Sequence, residues 1–171
     1  MKVMVLTVSD RSFRGEREDK SGPLLVGILQ ASGWEVVSIQ IVPDDQPDIE
    51  DVLRKWADSS EVDVILTTGG TGFSPRDCTP EATRNVVNRI APGIAEAMRL
   101  ASLKITPHAM LSRAVAGIRG KTLIVNLPGS PKAAKENLEV ILPALPHAVQ
   151  LLSGDPDAEA GHYPQTLKKH I

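Results

Sequence analysis

Three short apolar runs alternate with helical patterns in the first 70 residues, and this alternation limits the possible folds more than any other feature. The runs cover residues 3–9, 34–42 and 62–68, and the first contains no polar alternation, as expected of a strand covered on both faces. Helical patterns begin at Ser21 and at Pro47 between these runs. The resulting βαβαβ order predicts right-handed crossovers and a doubly wound, mostly parallel sheet.

The rest of the chain predicts more helices and one hairpin. Helices are expected from Thr79, which fills an N-cap position, from Pro92 and over 131–142. Residues 114–118 and 122–127 flank a tight turn and predict an antiparallel pair of strands.

We therefore expect an α/β protein. Its fold would be a three-layer sandwich with a mostly parallel sheet, helices on both faces and one antiparallel hairpin. The length of 171 residues suits one domain, residues 1–152, followed by a polar tail, residues 153–171, expected to be extended or poorly ordered.

Composition excludes several classes of function. A net charge of −2 and only five aromatic residues argue against a basic or base-stacking nucleic-acid surface. The single Cys78 excludes an intrachain disulfide and a cysteine-rich zinc site, and it fits the cytoplasm. Residues 3–8 are too short for a signal sequence, and prolines interrupt the apolar stretch 138–152, so no membrane span is expected.

Each predicted parallel strand ends in polar or glycine-rich residues. Because ligands of open α/β sheets bind outside the carboxyl ends of the strands, these segments should converge on one site for charged, oxygen-rich groups. The segments are Ser9-Asp10-Arg11, Pro43-Asp44-Asp45, Gly69-Gly70-Thr71-Gly72 with Asp77 further on, and Asn126 to Pro131.

The glycine-rich segment Gly69 to Gly72 predicts an anion site. Without Cβ atoms its amides could approach a phosphate closely and form a nest; the alternative is a turn that merely requires positive φ. The third glycine of a dinucleotide fingerprint is missing. Gly120-Lys121-Thr122 is no Walker A loop, since Val115 stands five residues before Gly120 and a strand follows.

Asp44 and Asp77 lie in loops at the same predicted edge. Carboxylates beside phosphates would repel them unless Mg²⁺ lies between, which makes both residues candidate metal ligands. The alternative for Asp44 is the N-cap of the helix at Pro47, a position that Asp45 or Gln46 could also fill. The alternative for Asp77 is a helix cap near Thr79.

Several cations are further candidates for binding anions. Lys132 stands in the first turn of the closing helix, where an anionic ligand would offset an unfavourable dipole interaction; the alternative is a solvated lysine. Arg76 and Arg113 are candidate anion ligands or ordinary ion-pair partners. A hydrolase using Ser9 or Ser130 with His108 would lack a nucleophile-elbow pattern, and the scattered histidines show no zinc spacing.

Residues 67–72, followed by 75–83, resemble the signature of molybdopterin adenylyltransferases and of the amino-terminal domain of gephyrin. Further motifs of this family occur in the same order over residues 3–152: Ser9-Asp10-Arg11, Pro43-Asp44, Leu111-Ser112-Arg113 and Asn126 to Lys132. Cys78 stands where the family commonly has valine.

The resemblance implies a homotrimer and a reaction in which the terminal phosphate of molybdopterin attacks the α-phosphorus of ATP with Mg²⁺, releasing pyrophosphate. Asp44 and Asp77 match the acidic residues implicated in catalysis. The other matching positions would bind phosphate, pterin or nucleotide: Ser9, Asp10, Gly69, Gly70, Thr71, Gly72, Arg76, Pro128, Gly129, Ser130 and Lys132. A downstream molybdate-inserting partner is also implied.

Two alternatives share the expected fold. One is a pterin-binding protein that does not adenylylate its ligand or that serves tungsten-cofactor synthesis. The other is an oligomeric scaffold, although the chain lacks the long linker and second domain that scaffolding by gephyrin would require.

Overall fold

The computed structural model describes residues 1–156 and 158. Six strands form one sheet in the order β2-β1-β3-β6-β5-β4. The neighbouring strands β2, β1, β3 and β6 are parallel to one another, whereas β5 is antiparallel to both β6 and β4. This arrangement confirms the predicted mostly parallel sheet with one hairpin. The strands are β1 (Lys2–Val8), β2 (Glu35–Val42), β3 (Val64–Thr68), β4 (Arg89–Ile90), β5 (Ala116–Arg119) and β6 (Thr122–Leu127).

Helices cover both faces of the sheet, as predicted. They are α1 (Asp10–Phe13), α2 (Ser21–Ala31), α3 (Gln46–Asp58), α4 (Thr79–Val86), α5 (Pro92–Leu103), α6 (Pro131–Ile141) and α7 (Leu145–Ser153), with 3₁₀ turns at Pro107–Leu111 and Leu142–Ala144. On one face Leu29, Met98 and Leu138 of α2, α5 and α6 form a core with the sheet. On the other face Leu53 of α3 and Ala82 of α4 do so.

Three elements of the structure, α1, β4 and α7, were not predicted from the sequence. The apolar stretch beyond α6 continues as helix because Pro143 and Pro146 stand in first turns, where proline lacks only an N–H that would have no partner. Ser153 is the last residue of α7, so helix extends one residue into the predicted tail. Apart from 154–156 and 158, the rest of that tail lies outside the described residues.

Two predicted helix caps were wrong. The N-cap residue of α2 is Lys20, not Ser21, and the carboxylate of Asp19 before it accepts hydrogen bonds from Ser21 N and Gly22 N at 3.0 and 3.1 Å. Ser21 Oγ donates instead to the Gly129 carbonyl at 2.7 Å. Thr79 lies inside α4, and its hydroxyl donates to the Gly69 carbonyl at 2.9 Å. The two hydroxyls thus connect the starts of α2 and α4 by hydrogen bonds to the loops that follow β6 and β3, respectively.

The four parallel strands end level with one another. Val8 pairs with Val42, Thr7 with Thr68, and Thr68 with Leu127. The polar segments after these strands therefore lie at a common edge, as predicted. Within residues 1–156 and 158, no helix has the length and apolar character required to cross a bilayer.

A buried asparagine connects the parallel part of the sheet with α4 and with the segment before β5. Asn126 is fully buried, and its Nδ2 donates to the hydroxyls of Thr67 and Thr83 at 3.0 and 2.8 Å. Its Oδ1 accepts from Val115 N at 3.2 Å. All of its hydrogen-bonding groups have partners, so the residue contributes to stability despite its polarity.

We predict that Asn126→Ala lowers the free energy of unfolding by about 2 kcal/mol, because Val115 N–H would remain buried without an acceptor. Urea unfolding would measure the loss. Asn85→Ala is the control, since that side chain donates to Glu50 at the exposed surface; its effect should stay below about 0.5 kcal/mol. Equal losses would contradict the assigned role.

Candidate active site

A polar cavity of about 580 Å³ opens at the carboxyl edge of the sheet. It lies between the loops that follow β1, β2, β3 and β6. Nine of the sequence-predicted site residues line it: Ser9, Asp10, Asp44, Gly69, Gly70, Arg76, Asp77, Gly129 and Ser130.

The remaining predicted residues lie elsewhere. Thr71, Gly72 and Pro128 border a second cavity of about 290 Å³, which is lined largely by α5, α6 and the 3₁₀ turn at 107–111. Lys132 lines neither cavity; its side chain is 79% exposed and its Nζ is 3.8 Å from Glu136 Oε1. The glycine-rich segment therefore separates two compartments.

Asp10 and Asp44 bind each other's main chain. Asp10 N donates to Asp44 Oδ2 at 2.7 Å, and Asp44 N donates to Asp10 Oδ1 at 3.1 Å. The N-cap of α3 is Asp45, whose Oδ1 accepts from Asp48 N at 3.5 Å. The capping alternative for Asp44 is thus excluded, and its carboxylate faces the cavity.

The negative charges of the carboxylates in the polar cavity are not equally balanced by nearby positive charges. Arg76 donates to both oxygens of Asp10 at 3.1 Å, and this hydrogen bonding lowers the pKa of Asp10. Burial raises the pKa of Asp44, and the charges of Asp10 and Asp77 act in the same direction. The negative charge of Asp44 is therefore the one that an added cation would stabilise most.

The carboxylates of Asp44 and Asp77 both line the polar cavity and are the type of ligand that Mg²⁺ prefers. Asp77 Oδ2 accepts from Ser74 N at 3.1 Å, as Asp44 Oδ2 does from Asp10 N. No donor among the described residues is bonded to Oδ1 of either carboxylate. In the same part of the chain no group of three or more His, Cys, Asp or Glu forms a metal cluster. Two carboxylates with phosphate and water oxygens nevertheless form a usual Mg²⁺ environment.

Glycine is required where the loop after β3 passes these carboxylates. Gly69 and Gly70 have φ of 103° and 62°. A Cβ on Gly70 would collide with Thr79 Oγ1 and lie 3.3 Å from Asp44 Oδ1, and a Cβ on Gly72 would lie 2.9 Å from Asp77 Oδ2. The segment thus requires glycine both for its positive φ and for its close packing. These features are compatible with a phosphate-binding loop as well as with a turn that merely requires positive φ. Binding of an anion there stays a prediction.

From the charged stretch between β1 and α2, only the first residues, Asp10 and Arg11, were predicted to belong to the site; Arg17 and Asp19 were not. Asp19 lines the cavity, and its Oδ2 accepts from Thr7 Oγ1 at 2.6 Å. Arg11 and Arg17 also line it, and neither forms an ion pair within residues 1–156 and 158. The only signal was the density of charged residues over 10–20, which also occurs in ordinary surface loops.

Within residues 1–156 and 158, neither serine considered as a hydrolase nucleophile is hydrogen-bonded to a histidine. Ser9 and Ser130 line the polar cavity, whereas His108 lines the second one and lies against Thr106 Oγ1 at 3.4 Å. Burial raises the pKa of Cys78 to about 11, which disfavours its thiolate at neutral pH.

Comparison with known proteins establishes the family. Residues 4–147 match the molybdenum cofactor biosynthesis family described as a probable molybdopterin binding domain, and the chain belongs to this family. Molybdopterin adenylyltransferase of Helicobacter pylori strain J99 is 43% identical over 169 residues, covering 98% of this chain and 92% of that protein. The solved molybdopterin biosynthesis enzyme MoaB of Thermus thermophilus is 55% identical with a TM-score of 0.85, covering 91% of this chain and 98% of that one.

Some relatives are much longer than this chain. Gephyrin of Dictyostelium discoideum is 48% identical over 164 residues, which is 90% of this chain and 23% of that protein. The chain therefore spans about a quarter of the length of this relative.

We predict that Asp44→Asn does not lower the melting temperature at neutral pH. If the new amide keeps the hydrogen bond to Asp10 N, the substitution should raise the melting temperature. The folded-state pKa of Asp44 lies above its ordinary value of 3.8, so its ionised form lowers stability at pH values above that raised pKa. This penalty disappears as the pH falls from the raised pKa to the ordinary value. Calorimetry without metal, from pH 8 to pH 4, would show the difference between variant and parent shrinking.

Asp45→Asn is the matched control for this experiment, because Asp45 caps α3 and does not line the cavity. It should give no increase in melting temperature at any pH. A lower melting temperature for Asp44→Asn at every pH would contradict the charge assignment.

We further predict that Gly70→Ala destabilises the protein by about 3 kcal/mol, which is the upper part of the range for strained backbone. The same substitution should weaken ATP binding. The control is Gly120→Ala, which has a similar φ of 57° but no atom within 4 Å of the new Cβ. It should lose only about 1 kcal/mol. Chemical denaturation and calorimetric titration with ATP would measure both effects; equal ATP affinities would rule out a role of the loop at the nucleotide.

Proposed function

We propose that the protein transfers the adenylyl group of ATP to molybdopterin, with Mg²⁺. A terminal phosphate oxygen of molybdopterin attacks the α-phosphorus of ATP, a new P–O bond forms, and the bond to the β-phosphate oxygen breaks. Adenylyl-molybdopterin and pyrophosphate are the products. The observation that carries this proposal is the pair of cavity carboxylates, Asp44 and Asp77, beside a glycine-rich loop in a chain of this family.

Asp44 and Asp77 would hold Mg²⁺ through their Oδ1 atoms. When bound there, the cation would neutralise phosphate charge that the two carboxylates alone would repel. The reciprocal hydrogen bonds with Asp10 orient Asp44, and the Ser74 N–H orients Asp77. Both carboxylates are thus positioned before any ligand binds, so little reorganisation is required in the transition state.

Amides and cations around the polar cavity support its assignment to the triphosphate. Ser130 is the N-cap of α6, whose positive dipole end faces the cavity rim. Arg11 and Arg17 also line this cavity, and their guanidinium groups are available to an anion. Phosphoryl-type transfer depends mainly on such positioning and charge neutralisation, so no covalent nucleophile is required.

The second cavity supports a separate place for the pterin. Ile105, Ala109 and Leu111 give it apolar walls suited to a planar ring, and Asn137 adds an amide. Its border at Gly72 adjoins the loop that also lines the polar cavity. Two substrates bound on either side of this loop could meet at its edge, where the α-phosphorus would lie.

Three further proposals rest on the family resemblance. The protein works in the cytoplasm, it assembles as a homotrimer, and its product passes to a molybdate-inserting enzyme. Size-exclusion chromatography with light scattering would test the assembly.

We predict that Asp77→Asn keeps the fold and lowers turnover roughly a hundredfold or more, as expected when one preorganised electrostatic group is removed. The measurement is pyrophosphate release from purified protein with molybdopterin, ATP and Mg²⁺. Asp45→Asn serves as the control, with near-normal turnover.

The same assay separates the alternatives. Near-normal turnover of Asp77→Asn would overturn the metal role of this carboxylate. If the unmodified protein binds molybdopterin without releasing pyrophosphate, it is a pterin carrier or a scaffold, and adenylyl transfer is excluded.

A further inference from the structure

We propose that Arg113 is a positioning residue for the proposed adenylyl transfer, acting by clamping the loop that carries Asp77. This inference rests on the proposed function. Of the two roles considered for Arg113 from the sequence, an anion ligand and an ion-pair partner, the structure favours the second, because Arg113 pairs with Glu81.

Arg113 reaches both ends of the loop formed by residues 71–77. Its Nε donates to the Gly72 carbonyl at 2.7 Å, and its Nη2 donates to the Asp77 carbonyl at 2.6 Å. Its main-chain N–H donates to the Thr71 carbonyl at 2.9 Å. One residue from the segment before β5 therefore connects the start and the end of this loop.

A carboxylate holds the guanidinium in this orientation. Arg113 Nη1 forms a short ion pair with Glu81 Oε1, in the first turn of α4. The other oxygen of Glu81 is buried and has no hydrogen-bond partner among the described residues, so Arg113 is the group that compensates the charge of Glu81. All three guanidinium nitrogens thus have protein partners, which leaves Arg113 poorly suited to bind a substrate anion.

The loop has few other attachments to the body of the protein. Its bonds from Asp77 N to Ser74 O and from Ser74 N to Asp77 Oδ2 lie within one turn, and they would move together with it. Phe73 is 67% exposed and provides no apolar anchor. Arg76 attaches the loop to Asp10, but through a side chain that is itself mostly exposed.

The position of Asp77 relative to Asp44 therefore depends strongly on Arg113. Displacement of a catalytic group by about 1 Å can reduce a rate by about a hundredfold. Lysine would keep the charge but could not reach two carbonyls and a carboxylate in one plane, because it lacks the planar fork of arginine.

Arg119 offers a matched control at the opposite end of the sheet. It also donates to a carbonyl, that of Val86, at 2.9 Å, and pairs with a carboxylate, Asp58, at 2.7 Å. The side chains of Arg113 and Arg119 are 31% and 24% exposed. Arg119→Lys therefore removes a similarly buried arginine that bonds a carbonyl and a carboxylate, but at a place that lines neither the polar cavity nor the second cavity.

The experiment compares Arg113→Lys with Arg119→Lys in the full chain. We expect similar decreases in melting temperature, but a fall in turnover of about 10- to 100-fold and a raised Mg²⁺ requirement only for Arg113→Lys. In an Asp77→Asn background, Arg113→Lys should reduce turnover less than about threefold further, because its effect passes through Asp77. Equal losses of turnover in the two lysine variants, or fully multiplicative losses with Asp77→Asn, would overturn the proposal.

Two readouts do not require turnover. Amide hydrogen exchange over residues 72–77 should be faster in Arg113→Lys than in Arg119→Lys, and Mg²⁺-dependent ATP affinity should be weaker. If the unmodified protein releases no pyrophosphate, the proposed function fails, while these measurements still test the clamp. Unchanged exchange in Arg113→Lys overturns it. Should that variant fail to fold, Glu81→Gln, which only loosens the guanidinium, should give a smaller change of the same kind.

Discussion

The level alignment of four parallel strands is the constraint on which the candidate site depends. Because β2, β1, β3 and β6 end side by side, four loops distant in sequence share one edge. Helices on both faces bury the sheet and leave that edge as the place where the loops form cavities. Hydroxyls at the starts of α2 and α4 then bind loop carbonyls, so the site is continuous with the packed body of the protein.

Charge balance at this edge supports the proposed binding of a cation together with phosphates. Asp10 is neutralised by Arg76, whereas Asp44 is partly buried beside two other carboxylates. Such an arrangement is unfavourable in the free protein and improves when a divalent cation binds. The proposed role of Asp44 as a metal ligand would therefore oppose the stability of the free protein, a common situation at sites that stabilise charge in a ligand.

Much of the fold could be predicted because its signals are local. Apolar runs of strand length and helical periodicity depend on neighbouring residues, and they identified β1, β3 and most helices. The caps at Ser21 and Thr79 were predicted wrongly because each hydroxyl binds the carbonyl of a loop outside its own helix, Ser21 that of Gly129 and Thr79 that of Gly69. The short strand β4 carries almost no pattern, since two residues cannot show a periodicity.

By itself the sequence determined the order of the longer strands and of most helices, the edge at which polar residues gather, and the family. These follow from periodicity and motifs, which are properties of the chain read along its length. Only the tertiary structure decided that Thr71, Gly72 and Pro128 border a second cavity and that Lys132 lies outside both cavities. It also decided that Arg113 binds loop carbonyls rather than facing a cavity, because the partners of a long side chain depend on which segments the fold brings within its reach.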